Sequence, residues 1–257
     1  MRITLLGNGD SMGTPRVYCD CTVCAEARAT GANRRYRSSA WLEVEGQQPL
    51  LLDCGPDFRA QMESVGARKV DHALITHAHV DHVGGVADWA DCCRWIGERA
   101  RLYAPQDVLD TILTRYPWIG RQLELIANDG GMRYGPWTVL PWKVNHGKNG
   151  HAYAYRFENA VSGRAWAYCS DAIALTEEQQ GPLKGLDLLV LGTSFVEEPY
   201  PMDTRSVYDM KEGVALAEKL RPGQVVFTHL SHDVDTRERY DLPANIQIAK
   251  TGMTLEV

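Results

Sequence analysis

The stretch Leu74-Ile75-Thr76-His77-Ala78-His79-Val80-Asp81-His82-Val83-Gly84-Gly85 constrains this chain more than any other. A β-like run ends at Thr76, and three of the chain's 8 histidines follow at once, with Asp81 among them. Imidazole and carboxylate are the ligands that zinc, manganese and iron take. In an extended turn side chains alternate with period two, so His77 and His79 point the same way. Asp81 and His82, one step further on, then face a neighbouring second metal. Gly84-Gly85 lets the backbone bend immediately afterwards.

The rest of the chain must supply a scaffold for that turn. At 257 residues it can bury one sizeable core, and 44% hydrophobic with 23% charged residues is globular composition. No apolar run nears the ~20 residues that cross a bilayer. The start, Met1 to Asn8, breaks into glycine and polar residues too early for a signal peptide, so a cytoplasmic protein without a membrane partner is expected. A net charge of −6 argues against a nucleic-acid partner, whose phosphates call for a basic field. The one dense basic cluster, Arg34-Arg35-Tyr36-Arg37, reads as a solvated loop. Seven cysteines, an odd count, disfavour a disulfide framework. Cys54, Cys92, Cys93 and Cys169 read as small core residues, which leaves the cluster Cys19-x-Cys21-x-x-Cys24 to be explained.

β-like runs recur at 3–6, 40–44, 50–53, 72–76, 101–103, 137–142, 153–157, 165–168, 186–192, 224–228 and 254–257. Helical patterns fall at 58–65, 86–94, 106–115 and 208–220, the last stopped by Pro222-Gly223. Helices do not follow every strand, so this is not the βαβ alternation of a doubly wound sheet. The pattern predicts an α/β protein with mixed sheets inside and helices outside. No repeat or linker interrupts residues 1–257, which reads as a single domain.

His77-x-His79-x-Asp81-His82 resembles the signature of the metallo-β-lactamase superfamily, dinuclear metallohydrolases with an αββα sandwich of two mixed β-sheets flanked by helices. The resemblance implies further ligands in His146, in Asp171 as the bridge between two metals, and in His229 after a late strand. Asp53 resembles the family's supporting aspartate, which braces the metal loop. His151 lies five residues after His146 and is the alternative ligand there, whereas His72, inside its strand, reads as structural.

Three thiolates on one loop suit a structural zinc, which wants four tetrahedral ligands. His232, in Thr228-His229-Leu230-Ser231-His232, can supply the fourth to Cys19, Cys21 and Cys24. The opening Gly7-Asn8-Gly9-Asp10-Ser11-Met12-Gly13-Thr14-Pro15, this cysteine cluster and the Thr-His-x-Ser-His ending are similar to the PhnP family. Its members are cyclic-phosphate phosphodiesterases accessory to phosphonate metabolism. The similarity implies a phosphodiesterase (EC 3.1.4) acting on a small cyclic or nucleotide-like phosphodiester, with two Mn or Zn ions in the active site and one structural Zn. A homodimer is compatible with it.

The nucleophile would be a water acidified by the two metals, in keeping with the absence of a Gly-x-Ser-x-Gly elbow. Val207 stands where that family carries a histidine proposed as general acid or substrate contact. Asp203, Tyr208 and Asp209 are the candidate general acids that remain nearby. The rival readings are a thioester or other ester hydrolase on the same fold, and a non-catalytic zinc-binding carrier.

Overall fold

The run Leu50-Leu51-Leu52 shows how the layers form. A computed structural model describes residues 1–257. In it Leu50 and Leu52 face a core shared with Trp137, Phe157 and Trp166, whereas Leu51 faces the opposite way, towards Trp41, Met62 and Trp89. Side chains alternate along a strand, so a strand covered on both faces is apolar throughout. Leu188-Leu189-Val190-Leu191 repeats the pattern, with Leu188 and Val190 in the shared core and Leu189 and Leu191 behind it.

The first sheet holds β1 (Arg2–Gly7), β2 (Ser39–Glu43), β3 (Leu50–Leu52), β4 (His72–Leu74), β5 (Ala100–Ala104) and β6 (Leu123–Ala127). The second holds β7 (Met132–Tyr134), β8 (Trp137–Asn145), β9 (His151–Asn159), β10 (Ala165–Cys169), β11 (Leu188–Gly192), β12 (Gln224–Thr228) and β13 (Ile246–Ile248). β14 (Thr254–Glu256) joins the first sheet beside β1, giving the orders β14-β1-β2-β3-β4-β5-β6 and β13-β12-β11-β10-β9-β8-β7. Each sheet is mixed: β3 to β6 and β10 to β13 run parallel, the rest antiparallel.

The helices are α1 (Thr22–Ala29), α2 (Phe58–Ser64), α3 (Val80–Val83), α4 (Val86–Ile96), α5 (Gln106–Arg115), α6 (Glu177–Gln180) and α7 (Met210–Leu220). Phe58 and Met62 of α2, Trp89 of α4 and Ile112 of α5 cover the outer face of the first sheet. Leu216 and Ala217 of α7 cover the second. The result is an αββα sandwich of two mixed seven-stranded sheets flanked by helices, as the resemblance implies. No helix is long and apolar enough to cross a membrane.

Several expectations need correction. The edge strands β6, β7 and β13 are absent from the sequence reading, because three-residue or polar-studded edges such as Ile-Gln-Ile carry little periodicity. The cysteine loop runs into helix: Cys21 caps α1, its sulfur accepting from Cys24 N–H, so Cys24 sits in the first turn. The metal turn is extended only as far as His79 (φ −70°, ψ 153°); Asp81 and His82 lie on the helical turn α3. Arg35 is buried rather than solvated, and Cys92 is exposed rather than in the core.

What the topology does for the site is deliver residues to one end of the sandwich. Asp53 follows β3, His146 follows β8 and His229 follows β12 directly, while His77 comes three residues after β4 and Asp171 two after β10.

Candidate metal centre

Two groups of ligand atoms form there. His77, His79 and His146 place one nitrogen each within 4.8 Å of one another, and Asp81, His82, Asp171 and His229 do the same with their nitrogens and carboxylate oxygens. The Asp171 carboxylate reaches both. Its Oδ1 is 3.2 Å from His82 Nε2, and its Oδ2 is 3.2 Å from His229 Nε2, 3.7 Å from His146 Nε2 and 4.0 Å from His77 Nε2.

These atoms fit cations better than they fit one another. His82 Nε2, His229 Nε2 and Asp171 Oδ1 are buried and, despite the short approaches, make no hydrogen bond of acceptable geometry. Each buried polar atom left so costs about 1–3 kcal/mol, and three converging on one point are what a cation site needs. Mixed imidazole and carboxylate donors suit zinc, manganese or iron.

The neighbouring groups aim the ligands. Asp53 Oδ1 accepts from Thr76 N–H at 2.8 Å and from Thr76 Oγ1 at 2.9 Å, while His82 Nδ1 lies 2.7 Å from Asp53 Oδ2. A proton on His82 Nδ1 directed at that carboxylate leaves Nε2 free to ligate. His146 Nδ1 likewise donates to Ser206 O at 2.8 Å, turning Nε2 inward.

Charge follows the same plan. Burial, reinforced by the nearby His82, holds His77 well below the usual imidazole range. At His229 burial is outweighed by Asp171 and Asp81, which push it up to about 10. For Asp171 burial is outweighed by the imidazoles of His229, His82 and His77, which keep its carboxyl ionised.

The second centre lies on the cysteine loop. His232 Nδ1 is 3.3 Å from Cys19 Sγ, 3.5 Å from Cys21 Sγ and 3.3 Å from Cys24 Sγ. A Cys₃His set with all four donor atoms within 4.8 Å matches tetrahedral zinc. Burial pushes the Cys24 thiol up to about 11, so as a free thiol it stays protonated at neutral pH. The buried Arg35 donates to Ser231 O at 2.9 Å and Val234 O at 2.7 Å, clamping the turn that carries both His229 and His232.

The structure thus brings together His77, His79, Asp81, His82, His146, Asp171 and His229, with Asp53 behind them, and separately Cys19, Cys21, Cys24 and His232. His151 is half-exposed and pairs with Asp107 at 3.1 Å, outside both groups. The three candidate general acids do not reach the cleft. Asp203 sits in an exposed turn, and the Tyr208 hydroxyl is buried, accepting from Leu175 N–H at 2.8 Å. Asp209 caps α7, accepting from Glu212 N–H at 2.9 Å. Val207 does line the cleft, a space of about 130 Å³ over the metal ligands. So do Asp10, Asn149, Ser194, Glu198 and Ser206. Apart from Asp10, in the opening glycine loop, and Asn149, after β8, they lie along the connection from β11 to α7 and share no motif. A larger groove of about 370 Å³ between α2 and α4 holds none of the ligands.

Comparison with known proteins shows the family and the fold. Residues 49–230 match the family model of the beta-lactamase superfamily domain. An octanoyltransferase of Porphyromonas gingivalis (strain ATCC BAA-308 / W83) is 30% identical over 266 residues, covering 98% of this chain and 51% of that protein. The chain therefore spans about half the length of this curated relative. Among solved structures, a diphosphatase from the PhnP family is 32% identical, with a TM-score of 0.86 over 100% of this chain and 97% of that one. Zinc-bound PqqB from Methylobacterium extorquens shares the fold at 20% identity, with a TM-score of 0.81 and 100% of both chains covered.

Proposed function

This chain belongs to the beta-lactamase superfamily, in its PhnP-like branch with the metallo-β-lactamase fold, and on that premise we propose that it is a dinuclear metal-dependent phosphodiesterase. Its substrate is a small cyclic or nucleotide-like phosphodiester. The observation that carries this reading is the Asp171 carboxylate, reaching 3.2 Å to His82 and His229 on one side and 3.7 Å to His146 on the other. Two divalent ions, Mn or Zn, would supply Lewis acidity and lower the pKa of water towards neutrality.

The chain's own residues do the rest. His77, His79 and His146 would hold one ion and Asp81, His82 and His229 the other, with the Asp171 carboxylate within reach of both groups. Asp53 and the Ser206 carbonyl keep the His82 and His146 rings from rotating out of line. Ser194, Ser206 and Asn149 border the cleft and offer hydrogen bonds to phosphoryl oxygens. The PhnP-family diphosphatase relative supports chemistry at phosphorus. A zinc at Cys19, Cys21, Cys24 and His232 is structural in this scheme.

One observation favours a second reading, a thioester or other ester hydrolase: the alignment to an octanoyltransferase runs over 98% of this chain. Parallel assays of bis(p-nitrophenyl) phosphate and a chromogenic thioester separate the two. The phosphodiesterase reading expects turnover of the phosphate with a monoester product, and about three metal ions per chain. Thioester cleavage without phosphodiester cleavage overturns the substrate class. One metal ion per chain and no turnover would mark a non-catalytic zinc carrier.

A further inference from the structure

One wall of the cleft is made of two segments stitched side by side. Ser194 N–H donates to Tyr208 O at 2.9 Å, and Met210 N–H donates to Phe195 O at 2.9 Å. Glu198 stands at the end of this stretch and lines the cleft with Ser206, Val207 and His146. Its own N–H donates to Asp209 Oδ2 at 3.0 Å, which fixes where the side chain begins.

Behind Glu198 lies Arg205, whose guanidinium serves three carboxylates. Nε is 3.0 Å from Glu198 Oε2, and one terminal nitrogen is 3.4 Å from Asp209 Oδ2. Glu212 accepts two hydrogen bonds, at 3.0 Å and 2.6 Å, whereas Glu198 has only the ion-pair approach of one oxygen, without hydrogen-bond geometry. One positive charge cannot neutralise three negative ones, and the carboxylate with least compensation is the one that takes up a proton. Burial pushes the Glu198 carboxyl up, Arg205 opposes this, and Asp209 and Glu212 add to it, leaving it above the usual range.

The other acids around the cleft are committed. Asp81 and Asp171 belong to the metal ligands, and Asp10 is held by Arg16 at 2.5 Å and by Met12 N–H at 3.1 Å. Val207 has no proton to give, and serine hydroxyls are too weakly acidic. Glu198 is what remains.

We infer that Glu198 is the catalytic acid of this cleft, protonating the leaving alcohol of the phosphodiester, an assignment that rests on the phosphodiesterase reading above. As a water oxygen bonds to phosphorus, the bond from phosphorus to the alkoxide oxygen breaks with its electron pair. Glu198 delivers the proton that makes that oxygen an alcohol. The attacking water releases one proton to solvent, and solvent returns one to Glu198. A diester monoanion and water thus become a monoester monoanion and an alcohol.

The test compares wild type, E198Q and E198D, all metal-loaded, on two diesters: a 2′,3′-cyclic nucleotide, which needs its leaving alkoxide protonated, and bis(p-nitrophenyl) phosphate, which does not. Protonation of a poor leaving group is worth about 10²–10⁴-fold. E198Q should lose that factor in kcat on the cyclic nucleotide and stay within a few-fold on the nitrophenyl ester. E198D, which keeps a carboxyl, should recover part of the loss. The wild-type rate on the cyclic substrate should fall as pH rises through the Glu198 pKa, and E198Q should lack that limb. Arg205, Asp209 and Glu212 behind Glu198, and His146 and His229 across the cleft, stay in place in all three proteins, so limbs due to them persist. Arg205 keeps two carboxylate partners in E198Q, so melting temperature and metal content should hold. Should E198Q not fold, E198D alone decides, through a larger loss on the cyclic substrate than on the nitrophenyl ester. Equal losses on both substrates, or none on the cyclic one, overturn the role of Glu198 and leave the phosphodiesterase standing. A fully metallated wild type that cleaves neither diester overturns both.

Discussion

Replacing Asp53 with asparagine tests how the metal centre is aimed, because it changes one atom and one charge. Asp53 is wholly buried and sits at φ 59°, a left-handed conformation that asparagine tolerates as well as aspartate does. An asparagine oxygen can still accept from Thr76 N–H, the 2.8 Å contact. The amide NH₂ must then face His82 Nδ1, 2.7 Å away, where the carboxylate oxygen was. Two donors cannot share that contact. His82 must move its proton to Nε2, which removes that nitrogen as a ligand. Loss of such a supporting partner typically weakens metal binding 10–100-fold, or about 1.4–2.7 kcal/mol.

The effect on the metal-free fold should be smaller. Burial outweighs the pull of His82 and Thr76 on the Asp53 carboxyl and raises its pKa, so removing the charge is not itself costly. What is lost is about one hydrogen bond, roughly 1 kcal/mol, or a melting temperature lower by about 2–4 °C for a chain of this size. The assay is metal content after dialysis against graded chelator, read beside thermal melts of the chelated protein. D53N should release one ion at a chelator concentration 10–100-fold below wild type. If D53N keeps both ions as tightly as wild type, the aspartate does not set the His82 tautomer and the argument fails.

Three other substitutions probe separate parts of the structure. Cys21→Ser should release one metal equivalent and lower the melting temperature while the two remaining ions stay bound; unchanged metal content would count against zinc at the cysteine loop. His146→Ala should strip an ion from the three-histidine group, whereas His151→Ala, at an exposed pair with Asp107, should leave metal content and turnover near wild type. Gly192→Ala would put a Cβ 1.7 Å from the backbone oxygen of Ser170, one residue before Asp171. The parallel strands β10 and β11 must part to admit it, so the protein should be recovered mostly insoluble; a soluble variant with normal melting would show the sheet end to be more yielding than its packing implies.

The candidate site was more legible than parts of the scaffold, for a physical reason. Metal ligands are chemically rare residues, and His77, His79, Asp81 and His82 fall within one turn, so their identities carry the signal. The central strands were legible too, because Leu50–Leu52 and Leu188–Leu191 are apolar on both faces. Edge strands such as Ile246–Ile248 were not, since they bury one face over three residues. Arg35 looked like surface because its burial depends on three carbonyls supplied by Asn33, Ser231 and Val234, the last two some 200 residues away. Glu198 could not be found from sequence at all. Nothing local distinguishes it from Glu197, which lies exposed and pairs with Lys211; only the pairing of its segment with Tyr208, Asp209 and Met210 brings it to the cleft.

Backbone strain marks the same end of the molecule. Four non-glycine residues have positive φ, and two of them, Asp53 at 59° and His229 at 58°, belong to the metal centre. Each conformation costs on the order of 1–2 kcal/mol for a residue with a side chain, so the surroundings must over-determine it. For Asp53 they do so through Thr76 and His82. For His229 they do so through the bonds either side of it: Thr193 N–H donates to Thr228 O at 2.8 Å, and Leu230 N–H donates to Asn8 O at 2.8 Å. Glycine at either position would relax the backbone, yet at 229 it would delete a ligand and at 53 the brace of another. The strain is therefore retained where it turns a strand end abruptly enough to bring its first side chain inward. Arg35 then holds the continuation of that second turn, so that His232, three residues on, points to the cysteine loop instead. One sharp turn thereby serves two centres, and loosening it at Arg35 should loosen both sets of metal ligands together.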